Sequence, residues 1–507
     1  MSAKLAEATA TPASTAWSRY PTLYEINTWV WLWEQSRRYG KKIDLSSVPS
    51  AEWDALAAYG FEAVWLMGVW QRSPAGIVIT NQNPAQLADF RQTLPDFRLE
   101  DNVGSPYCVR RYVVDQHLGG AEGLAIARGE LAKRGVKLIL DFVPNHVALD
   151  HPWVLENPEY FIRGNADDLN NDPSSYLEIG GMIFARGRDP YFPAWPDVLQ
   201  LNAFDPGLRH AATETVHSIA EQCDGIRSDM AMLLLNRIFA QTWGSRAGSP
   251  PATEYWPNLI SATRKRHPSF LFIAEVYWDL EWELQQQGFN FCYDKKLYDR
   301  LSHSNAESIR LHLCADLAYQ TKLLRFIENH DEPRAAATFA PAKHRAAAVI
   351  AATQPGMRLF QEGQFEGRTV RVPVFLGRRP SESPDHELLR FYSKLLPAIN
   401  RPVFRGPQWT LCERCGWPDN QSFQNLLAWS WEQADERYLL AVNFSDHPAQ
   451  ALVRVPWAEP VSRHILVDTL SGATYERDGD EMHLPGLYVD LAPWGYHFLR
   501  CTRTKPK

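Results

Sequence analysis

Polar and ionisable side chains gather in one short run of the chain, LLRFIENHDEPR at residues 323–334. Its apolar start predicts the end of a buried strand. Six polar residues follow almost together: Glu328, Asn329, His330, Asp331, Glu332 and Arg334. Because burying a charge is unfavourable, such a run at the mouth of a strand is either a solvated turn or a site. A site there would use the carboxylates and the imidazole, for example in proton transfer.

Three other predicted strands end with the same kinds of residue. These residues are Asp141, Asn145 and His146 after the third strand, Arg227 and Asp229 on the fourth, and Glu275 on the fifth. Each has a structural interpretation when taken alone, since an Asp at a strand end is commonly a helix cap or a turn former. A lone His is also more often a hydrogen-bonded structural residue than a catalyst. Their concentration at four strand ends argues against independent structural explanations and indicates one polar site.

Eight short apolar runs along the chain predict the strands that position these residues. The runs are TLYEINTWVWL from Thr22, GFEAVWLMGV from Gly60, GVKLILDFVPNH from Gly135, CDGIRSDMAML from Cys223, SFLFIAEVYW from Ser269, FNFCYD from Phe289, LLRFIENHD from Leu323 and GMRLFQEGQ from Gly356. Eight strands alternating with helices predict an α/β fold, a (β/α)8 TIM barrel with chemistry at the carboxyl ends of its strands. A doubly wound open sheet is the alternative, although no glycine-rich phosphate loop follows an early strand.

The stretches between the runs predict helices. GGAEGLAIARGELAKRG ends with basic residues and a Gly, which is typical of a helix C-terminus. DPGLRHAATETVHSIAEQ opens with Asp205 as a predicted N-cap and Pro206 at the first helical position. AAAVIAAT and ELLRFYSKLLPAI predict two later helices.

Composition along the chain predicts three parts. Residues 1–146 and 205–400 form the predicted catalytic barrel. Residues 147–204 are too long for a simple connection and rich in Pro, Asn and Asp, so we expect an irregular subdomain inserted after strand 3. Residues 401–507 change to short alternating segments such as NLLAWSW and RYLLAVNF, which predict a C-terminal antiparallel β-sandwich domain.

Four segments resemble a known family. DFVPNH, GIRSDMAML, IAEV and ENHDEPR, in this order, resemble the four signature segments of the α-amylase superfamily, whose members are retaining enzymes that act on α-glucosidic bonds. DVLQLNAFDPGLR resembles the family's segment before the fourth strand, LMGVW its second strand and FQEGQ its eighth. The resemblance covers roughly Thr22 to Asn400, and the terminal sandwich looks like the family's usual C-terminal domain.

The resemblance implies roles for three carboxylates. Asp229 matches the nucleophile that forms a covalent glycosyl-enzyme, and Glu275 matches the general acid that later acts as a base. Asp331 matches the third carboxylate, which binds sugar hydroxyls and favours a distorted ring. Two carboxyl groups about 5–5.5 Å apart serve such a double displacement. The pKa of Glu275 should be raised by burial and by neighbouring carboxylates.

Further residues match the family's substrate-binding positions. Arg227 would lie on the same face of its strand as Asp229 and keep that carboxylate ionised and oriented. His146 and His330 match histidines that hydrogen-bond hydroxyls of the reacting sugar, and Tyr107 matches the tyrosine stacked under it. The matching Asp141 is expected to be structural. Arg334 is expected to balance the charges of Asp331 and His330.

The chain departs from the family where many amylases carry a Lys-His pair after the nucleophile. Met232 and Leu233 occupy these places, so less polar acceptor subsites are expected. Two pairs of residues stay open between lining the acceptor side and packing in the core: Tyr277 and Trp278 after the general acid, and Trp195 and Asp197 in the insertion.

No required cofactor and no metal site are predicted, with calcium kept as an alternative. Asn145 matches a family calcium ligand, and the insertion contains Asp167, Asp168 and Asp172. Calcium needs six to eight oxygen ligands, however, and no compact loop has such a spacing. The seven Cys are odd in number and scattered, which is not a disulfide framework, and CERC at 412–415 lacks the second pair that a zinc site needs.

The predicted function is a retaining glycoside hydrolase that cleaves α-glucosidic bonds in α-glucan or maltooligosaccharide through a covalent glycosyl-enzyme. A transglycosidase, a glucoside isomerase or a phosphorylase acting on the same intermediate is the alternative, because the same carboxylates serve any acceptor. A third reading is an inactive carbohydrate-binding or scaffold relative. It is disfavoured because all three carboxylates, Arg227 and both histidines are present.

The whole chain limits partners and location. A net charge of −7 argues against general binding to nucleic acid or anionic membrane. The chain has no run of about 20 apolar residues, so no membrane span is predicted. The N-terminus lacks the apolar stretch of a secretory signal. We therefore expect a cytoplasmic enzyme whose partner is an oligosaccharide or polysaccharide substrate; the sequence does not predict the oligomeric state.

Overall fold

The computed structural model of the protein describes residues 16–460 and 462–504, and of residues 502–504 it describes only the backbone. Most of the N-terminal segment, for which the sequence predicts no secretory signal, lies outside the described residues. Among the residues described, no helix is both long and apolar enough to cross a membrane.

Eight parallel strands close into a barrel, as the sequence predicts. They are β1 Thr22–Asn27, β2 Ala63–Met67, β3 Lys137–Phe142, β4 Gly225–Ser228, β5 Leu271–Ala274, β6 Phe291–Tyr293, β7 Leu323–Arg325 and β8 Met357–Gln361. Each strand pairs with its neighbours in chain order, and β1 pairs with both β2 and β8. The strands are buried almost throughout because helices cover the outside and side chains fill the inside.

The first predicted run is only partly a strand. β1 ends at Asn27, and the residues TWVWL begin a helix, Thr28–Tyr39, instead of continuing the strand. The side chain of Asn27 accepts a hydrogen bond from the Val30 amide, and Gly40, at φ +63°, ends the helix. The aromatic and β-branched residues favour a strand locally, but the cap and one buried helix face outweigh that preference.

Helices connect the barrel strands. The main ones are Thr28–Tyr39, Ser50–Ala58, Gly120–Lys133, Pro206–Ala220, Asn236–Trp243, Tyr255–Arg266, Glu281–Gln286, Lys295–His303, Ala306–Leu313, Pro341–Thr353 and His386–Ile399. All four stretches that the sequence predicts as helices are among them. Asp205 caps Pro206–Ala220 by accepting a hydrogen bond from the Leu208 amide at 2.8 Å, which confirms the predicted start.

Three long connections rise from the carboxyl ends of the strands. Between β2 and the next barrel helix lie the paired strands Trp70–Arg72 and Val109–Val114 and the helices Pro74–Asn81 and Pro84–Thr93. After β3, strands His146–Ala148 and Val198–Gln200 pair, and Tyr176–Ile179 and Met182–Ala185 form a second pair. After β8, residues 362–385 contain no helix and no regular strand. The predicted limits of the parts, at residues 146, 204 and 400, stay a prediction.

Two antiparallel sheets follow the barrel. Strands Gln408–Leu411, Leu426–Gln433, Glu436–Asn443, Tyr496–Thr504, Arg463–Asp468 and Thr474–Asp478 form one sheet, in this order across it. Strands Arg414–Cys415, Ala449–Val453 and Leu487–Leu491 form the other. Leu439 of the larger sheet and Val453 and Val489 of the smaller one belong to one buried cluster, so the two sheets share a core.

Candidate active site

The polar residues predicted at four strand ends meet at one end of the barrel. Arg227 lies within β4, Asp229 directly follows that strand, and Glu275 directly follows β5. His330 and Asp331 follow β7 after a short turn. These positions are the carboxyl ends of parallel strands, which all face the same side of a closed barrel. The topology therefore brings residues more than a hundred positions apart to one place.

A cavity of about 360 Å³ opens at this end. Twelve residues line it: Ser105, Tyr107, His146, Trp195, Asp197, Val198, Asp229, Met230, Glu275, Tyr277, Asp331 and Phe375. Five of the seven predicted site residues are among them. The other two, Arg227 and His330, do not line the cavity but contact residues that do.

Arg227 holds two carboxylates at once. Its Nη1 lies 2.6 Å from Asp229 Oδ1 and its Nη2 lies 2.8 Å from Glu275 Oε2. The guanidinium is buried, and its carbon lies 5.2–5.6 Å from the ring centres of Tyr107, Trp65 and Tyr293. Because one planar group contacts both carboxylates, Asp229 and Glu275 must face the same small volume.

Glu275 has the environment of a proton donor. Its Oε2 accepts a hydrogen bond from the Met230 amide and its Oε1 accepts one from the Tyr277 hydroxyl, both at 2.7 Å. Burial raises the pKa of Glu275 to about 7, since the lowering by Arg227 does not outweigh burial and the nearby charges of Asp229 and Asp331. The carboxyl can therefore carry a proton near neutral pH.

Asp229 is buried beside the same cation. Burial raises the pKa of the Asp229 carboxyl, while the charge of Arg227 and its hydrogen bond lower it in part. The main chain is held as well, because the Asp229 amide donates to the carbonyl of Phe142 at 2.8 Å. The next residue, Met230, adopts φ +43°, an uncommon conformation for a side chain of this size. Arg227 thus holds the Asp229 side chain, and the Phe142 carbonyl holds its backbone.

His330 is a buried cation between carboxylates. Its Nδ1 contacts Glu25, and its Nε2 lies 3.0 Å from Asp331 Oδ2 and 2.6 Å from the Tyr107 hydroxyl. Burial lowers the pKa of the imidazole, but Asp331 and Glu25 raise it further, to about 10. For Asp331, burial by itself raises the pKa, but His330 and Arg227 bring it down to about 2. Asp331 is thus ionised, with 41% of its side chain exposed.

The second predicted histidine, His146, is uncharged, unlike His330. His146 is buried, and burial lowers its pKa to about 4. Its ring lies 5.0 Å from that of Trp195, centre to centre. His146 is therefore neutral near neutral pH, and its Nδ1 lies 3.3 Å from the side-chain nitrogen of Asn145.

Asp141 lies beneath the site. Its carboxylate accepts hydrogen bonds from the Gly68 amide at 2.8 Å and from the Trp65 indole at 3.1 Å. It does not line the cavity. These contacts agree with the structural role expected from the sequence.

The expectation for Arg334 is wrong. Arg334 lies 3.1 Å from Glu328 and donates to the Gln361 side chain at 2.6 Å, so it neutralises a buried carboxylate below the site. Asp331 instead receives its positive neighbour from the adjacent residue, His330. The short turn after β7 separates the two, since its amides bond to the Asn329 side chain and Asp331 is directed outward.

Glu25 is a site residue that the sequence reasoning missed. It lies on β1, is fully buried and pairs with His330. A signal was present, because Glu25 is the one charged residue in the otherwise apolar strand TLYEIN. A carboxylate inside such a strand needs a partner, and the partner is 305 residues away in the chain.

The residues that differ from the family's Lys-His pair do not line the cavity. Met232 and Leu233 lie in the short turn Ala231–Leu234 and are buried in the core. These two residues therefore do not line the cavity, and the lower polarity expected of the acceptor subsites stays a prediction. Met230, two residues earlier, lines the cavity instead, because its positive φ turns the chain inward directly after Asp229.

Three of the four residues left open by the sequence line the cavity: Tyr277, Trp195 and Asp197. Trp278 does not, but its ring packs against Tyr191 with 4.7 Å between ring centres, and 59% of Tyr191 is exposed. Trp278 and Asp279 adopt φ +62° and +66°. Such strain is maintained only where the surroundings require it, so the loop after Glu275 holds a defined aromatic surface.

The described residues do not fit a calcium site. Among the side chains described, no three His, Cys, Asp or Glu residues cluster so that they could hold a metal. The side-chain oxygen of Asn145 accepts a hydrogen bond from Gln200 at 2.9 Å. Asp168 caps the helix Ala166–Asn171 and pairs with Arg246. These oxygens are engaged by protein donors; that no cofactor is required stays a prediction.

Comparison with known proteins gives concordant matches. A family profile described as the catalytic domain of α-amylase matches residues 52–427. Among curated proteins, the chain is 22% identical to α-amylase 3 of Dictyoglomus thermophilum over 294 residues, which cover 53% of this chain and 55% of that protein. The chain thus spans about half the length of the curated relatives that it matches.

Solved structures match over nearly the whole chain. The maltogenic α-amylase AmyB from Thermotoga neapolitana is 16% identical with a TM-score of 0.67, covering 95% of this chain and 98% of that one. Isomaltulose synthase from Klebsiella sp. LX3 is 16% identical with a TM-score of 0.66, covering 96% and 100%. At these identities the likeness shows a shared fold, the barrel with its C-terminal antiparallel sheets.

Proposed function

The chain belongs to the α-amylase family, and from this premise we propose that it is a retaining glycosidase cleaving α-glucosidic bonds in α-glucan or maltooligosaccharide. The observation that carries the proposal is the shared ion pair of Arg227 with Asp229 and Glu275. This pair turns two carboxyl groups toward one small volume. It also leaves them in different environments, which suits them to different steps.

In the first step, Asp229 attacks the anomeric carbon and forms an ester with the sugar. The bond to the leaving oxygen breaks, and its electron pair takes the proton of Glu275. A pKa of about 7 supports this role, since the carboxyl holds a proton at neutral pH and still releases it readily. In the second step, ionised Glu275 removes a proton from water, and the water oxygen replaces Asp229 on the sugar.

The remaining residues support roles in binding the reacting sugar. Ionised Asp331 accepts hydrogen bonds from hydroxyls, and the neighbouring His330 cation keeps it ionised and positions it. His146 lines the cavity as an uncharged ring beside Trp195 and can contact the sugar there. The ring of Tyr107 lines the cavity and gives an apolar face for the sugar, while its hydroxyl is held by His330.

Product analysis tests the proposal. The protein is incubated with maltooligosaccharides, sucrose and trehalose, with and without phosphate, and the products are separated by length. We expect shorter reducing sugars whose yield does not depend on phosphate. Products longer than the donor, or sugar phosphates, would replace the hydrolase by a transferase or phosphorylase. Asp229→Asn is the control, in which turnover should disappear while the fold is kept.

A further inference from the structure

A seam between two long connections borders the cavity, to which it contributes Phe375. We use "the seam" for residues 101–104, after β2, together with residues 374–378, after β8. The Val103 amide donates to the Phe375 carbonyl at 2.8 Å, and the Gly377 amide donates to the Asp101 carbonyl at 2.9 Å. Asn102 and Leu376 form an antiparallel bridge between them. The two connections are thus joined through their backbones.

Side chains strengthen the seam on its outer side. Arg378 donates to both carboxylate oxygens of Asp101, at 2.6 and 2.8 Å, and to Asp96 at 3.1 Å. Leu376 is buried in an apolar cluster with Phe90 and Leu94. A side chain at Gly377 would bring its Cβ within 2.8 Å of Val103, so glycine allows this close approach. The seam is therefore a packed wall with charged contacts outside.

Barrel topology places the seam opposite the general acid. The two connections follow β2 and β8, the neighbours of β1, so the seam crosses over β1. Glu275 follows β5, which is four strands from β1 in either direction around the ring of eight. Ser105, Tyr107 and Phe375, which flank or belong to the seam, form the cavity wall on that side.

In the proposed reaction, sugars on the donor side extend toward this wall. The leaving group departs toward Glu275, which protonates it. In an α-1,4-linked chain, further sugars on the donor side are attached at O4, across the ring from the anomeric carbon. These sugars would extend away from Glu275 toward the seam, where backbone hydrogen bonds join the two connections.

We infer that the cavity accepts a single glycosyl unit on the donor side, so that the enzyme attacks only the terminal, non-reducing sugar of a chain. The inference rests on the proposed function and adds to it the position at which a chain is cut. Longer chains bind with their remaining sugars on the side of Glu275, where the aromatic surface of Tyr277 and Trp278 lies.

Two activated donors test the inference without depending on the acceptor. α-Glucosyl fluoride carries one donor sugar and α-maltosyl fluoride carries two, and each loses fluoride when Asp229 forms the ester. The C–F bond breaks and its electron pair leaves with fluoride. We expect kcat/KM from initial rates of fluoride release to be at least about 100-fold higher for the glucosyl compound, because the second sugar clashes with the wall. Maltosyl fluoride should release fluoride only after a lag, once removal of its terminal sugar has liberated glucosyl fluoride.

The possible outcomes are distinct. Equal initial rates of fluoride release from both compounds, or a faster initial rate with maltosyl fluoride and no lag, would overturn the inference while leaving the proposed glycosidase in place. Fluoride release from neither compound would remove the proposed function, and this inference with it.

A seam variant tests the cause of the selectivity. Arg378→Ala removes the contacts with Asp96 and Asp101 and should raise the maltosyl-to-glucosyl ratio of kcat/KM by about 10-fold. The matched control is Arg390→Ala, on the surface of the helix His386–Ile399 with 69% of its side chain exposed, which should keep the wild-type ratio. Glucosyl fluoride turnover and the melting temperature establish that each variant is folded. A folded Arg378→Ala protein with an unchanged ratio would contradict the role of the seam.

Discussion

Two carboxyl groups that share one cation do not have to share one protonation state. Arg227 contacts both Asp229 and Glu275, yet Glu275 alone also accepts hydrogen bonds from the Tyr277 hydroxyl and the Met230 amide. Burial raises the pKa of Glu275 to about 7, whereas Asp229 receives the shorter contact with Arg227. At the scale of single residues, these contacts support the proposed division between an acid, Glu275, and a nucleophile, Asp229.

Glu275→Gln should distinguish substrates by their leaving groups. The amide keeps the size of the side chain but cannot donate an acidic proton, so we expect kcat on maltooligosaccharides to fall by about 10²–10⁴-fold. α-Glucosyl fluoride should lose far less, since fluoride leaves with little need for protonation. Kinetics with both donors check this, and equal losses on both would argue against the general-acid role.

The pKa of Glu275 predicts how activity depends on pH. The first step needs the protonated carboxyl, so kcat/KM should fall about tenfold per pH unit above pH about 7, the pKa of Glu275. At low pH the activity should fall again as Asp229 becomes protonated. In Glu275→Gln the alkaline decline should be absent with α-glucosyl fluoride. A decline that persists in this variant would assign it to another group.

At the scale of elements, the sequence predicted all eight strands and the order of the site residues on them. Apolar runs bounded by polar strand ends carry that information locally. What it missed depends on which side chains the folded chain brings together. The role of Glu25 depends on its pairing with His330. Arg334 pairs with Glu328, while the turn after β7 directs Asp331 outward.

Local preference also failed where backbone geometry decided the outcome. TWVWL became a helix because Asn27 caps it and one of its faces is buried. Met230 adopts a positive φ and lines the cavity, whereas Met232 and Leu233 are buried in the core. No periodic pattern predicts a positive φ at a residue other than glycine, so the conformation of Met230 could not be predicted from the sequence.

The loop after β5 should contribute to acceptor binding. Trp278→Ala removes the ring that packs on Tyr191, and we expect kcat/KM on maltooligosaccharides to fall roughly 2- to 10-fold, the value of one aromatic contact. Release of fluoride from α-glucosyl fluoride should change less, because that donor has no sugar on this side. Kinetics on both substrates measure the difference.

Trp282→Ala is the matched control for this loop. Trp282 is 49% exposed and its ring lies 6.4 Å from that of Tyr319, away from Tyr191. It should leave both activities close to wild type. If Trp278→Ala and Trp282→Ala have the same effect, Trp278 has no specific role with the acceptor.

At the scale of the whole molecule, buried polar contacts join parts that are distant in the chain. Glu25 on β1 pairs with His330, which follows β7, and β8 lies between these two strands in the barrel. The indole of Trp431 in the C-terminal sheet donates to the Thr353 carbonyl at 2.8 Å, and Arg358 on β8 donates to the Phe404 carbonyl at 2.6 Å. The site and the packing of the chain therefore depend on some of the same residues.

The pair of Glu25 and His330 should make stability depend on pH. The folded-state pKa of His330, about 10, lies above its ordinary value of 6.5. The contribution is thus complete below pH about 6.5 and is lost as pH rises through 10. Glu25→Gln should lower the free energy of unfolding by about 3–5 kcal/mol at pH 6. The difference from wild type should shrink toward pH 10, as measured by denaturant titration at each pH.

Glu283→Gln provides the control for this stability difference. Glu283 pairs with Arg237 at the surface, where 34% and 57% of the two side chains are exposed. An exposed pair contributes about 0–1 kcal/mol, so little change is expected at any pH. A loss in Glu25→Gln that is independent of pH would mean that the pair is not an ionised one.

The central claim is that Asp229 becomes covalently bound to the sugar. The most direct measurement is mass spectrometry of the protein after reaction with 5-fluoro-α-glucosyl fluoride, which slows both steps and lets the intermediate accumulate. The account predicts one added fluoroglucosyl group per chain, located on the peptide that contains Asp229 and absent from Asp229→Asn. Attachment to another residue, or turnover with inversion at the anomeric carbon and no trapped species, would contradict it.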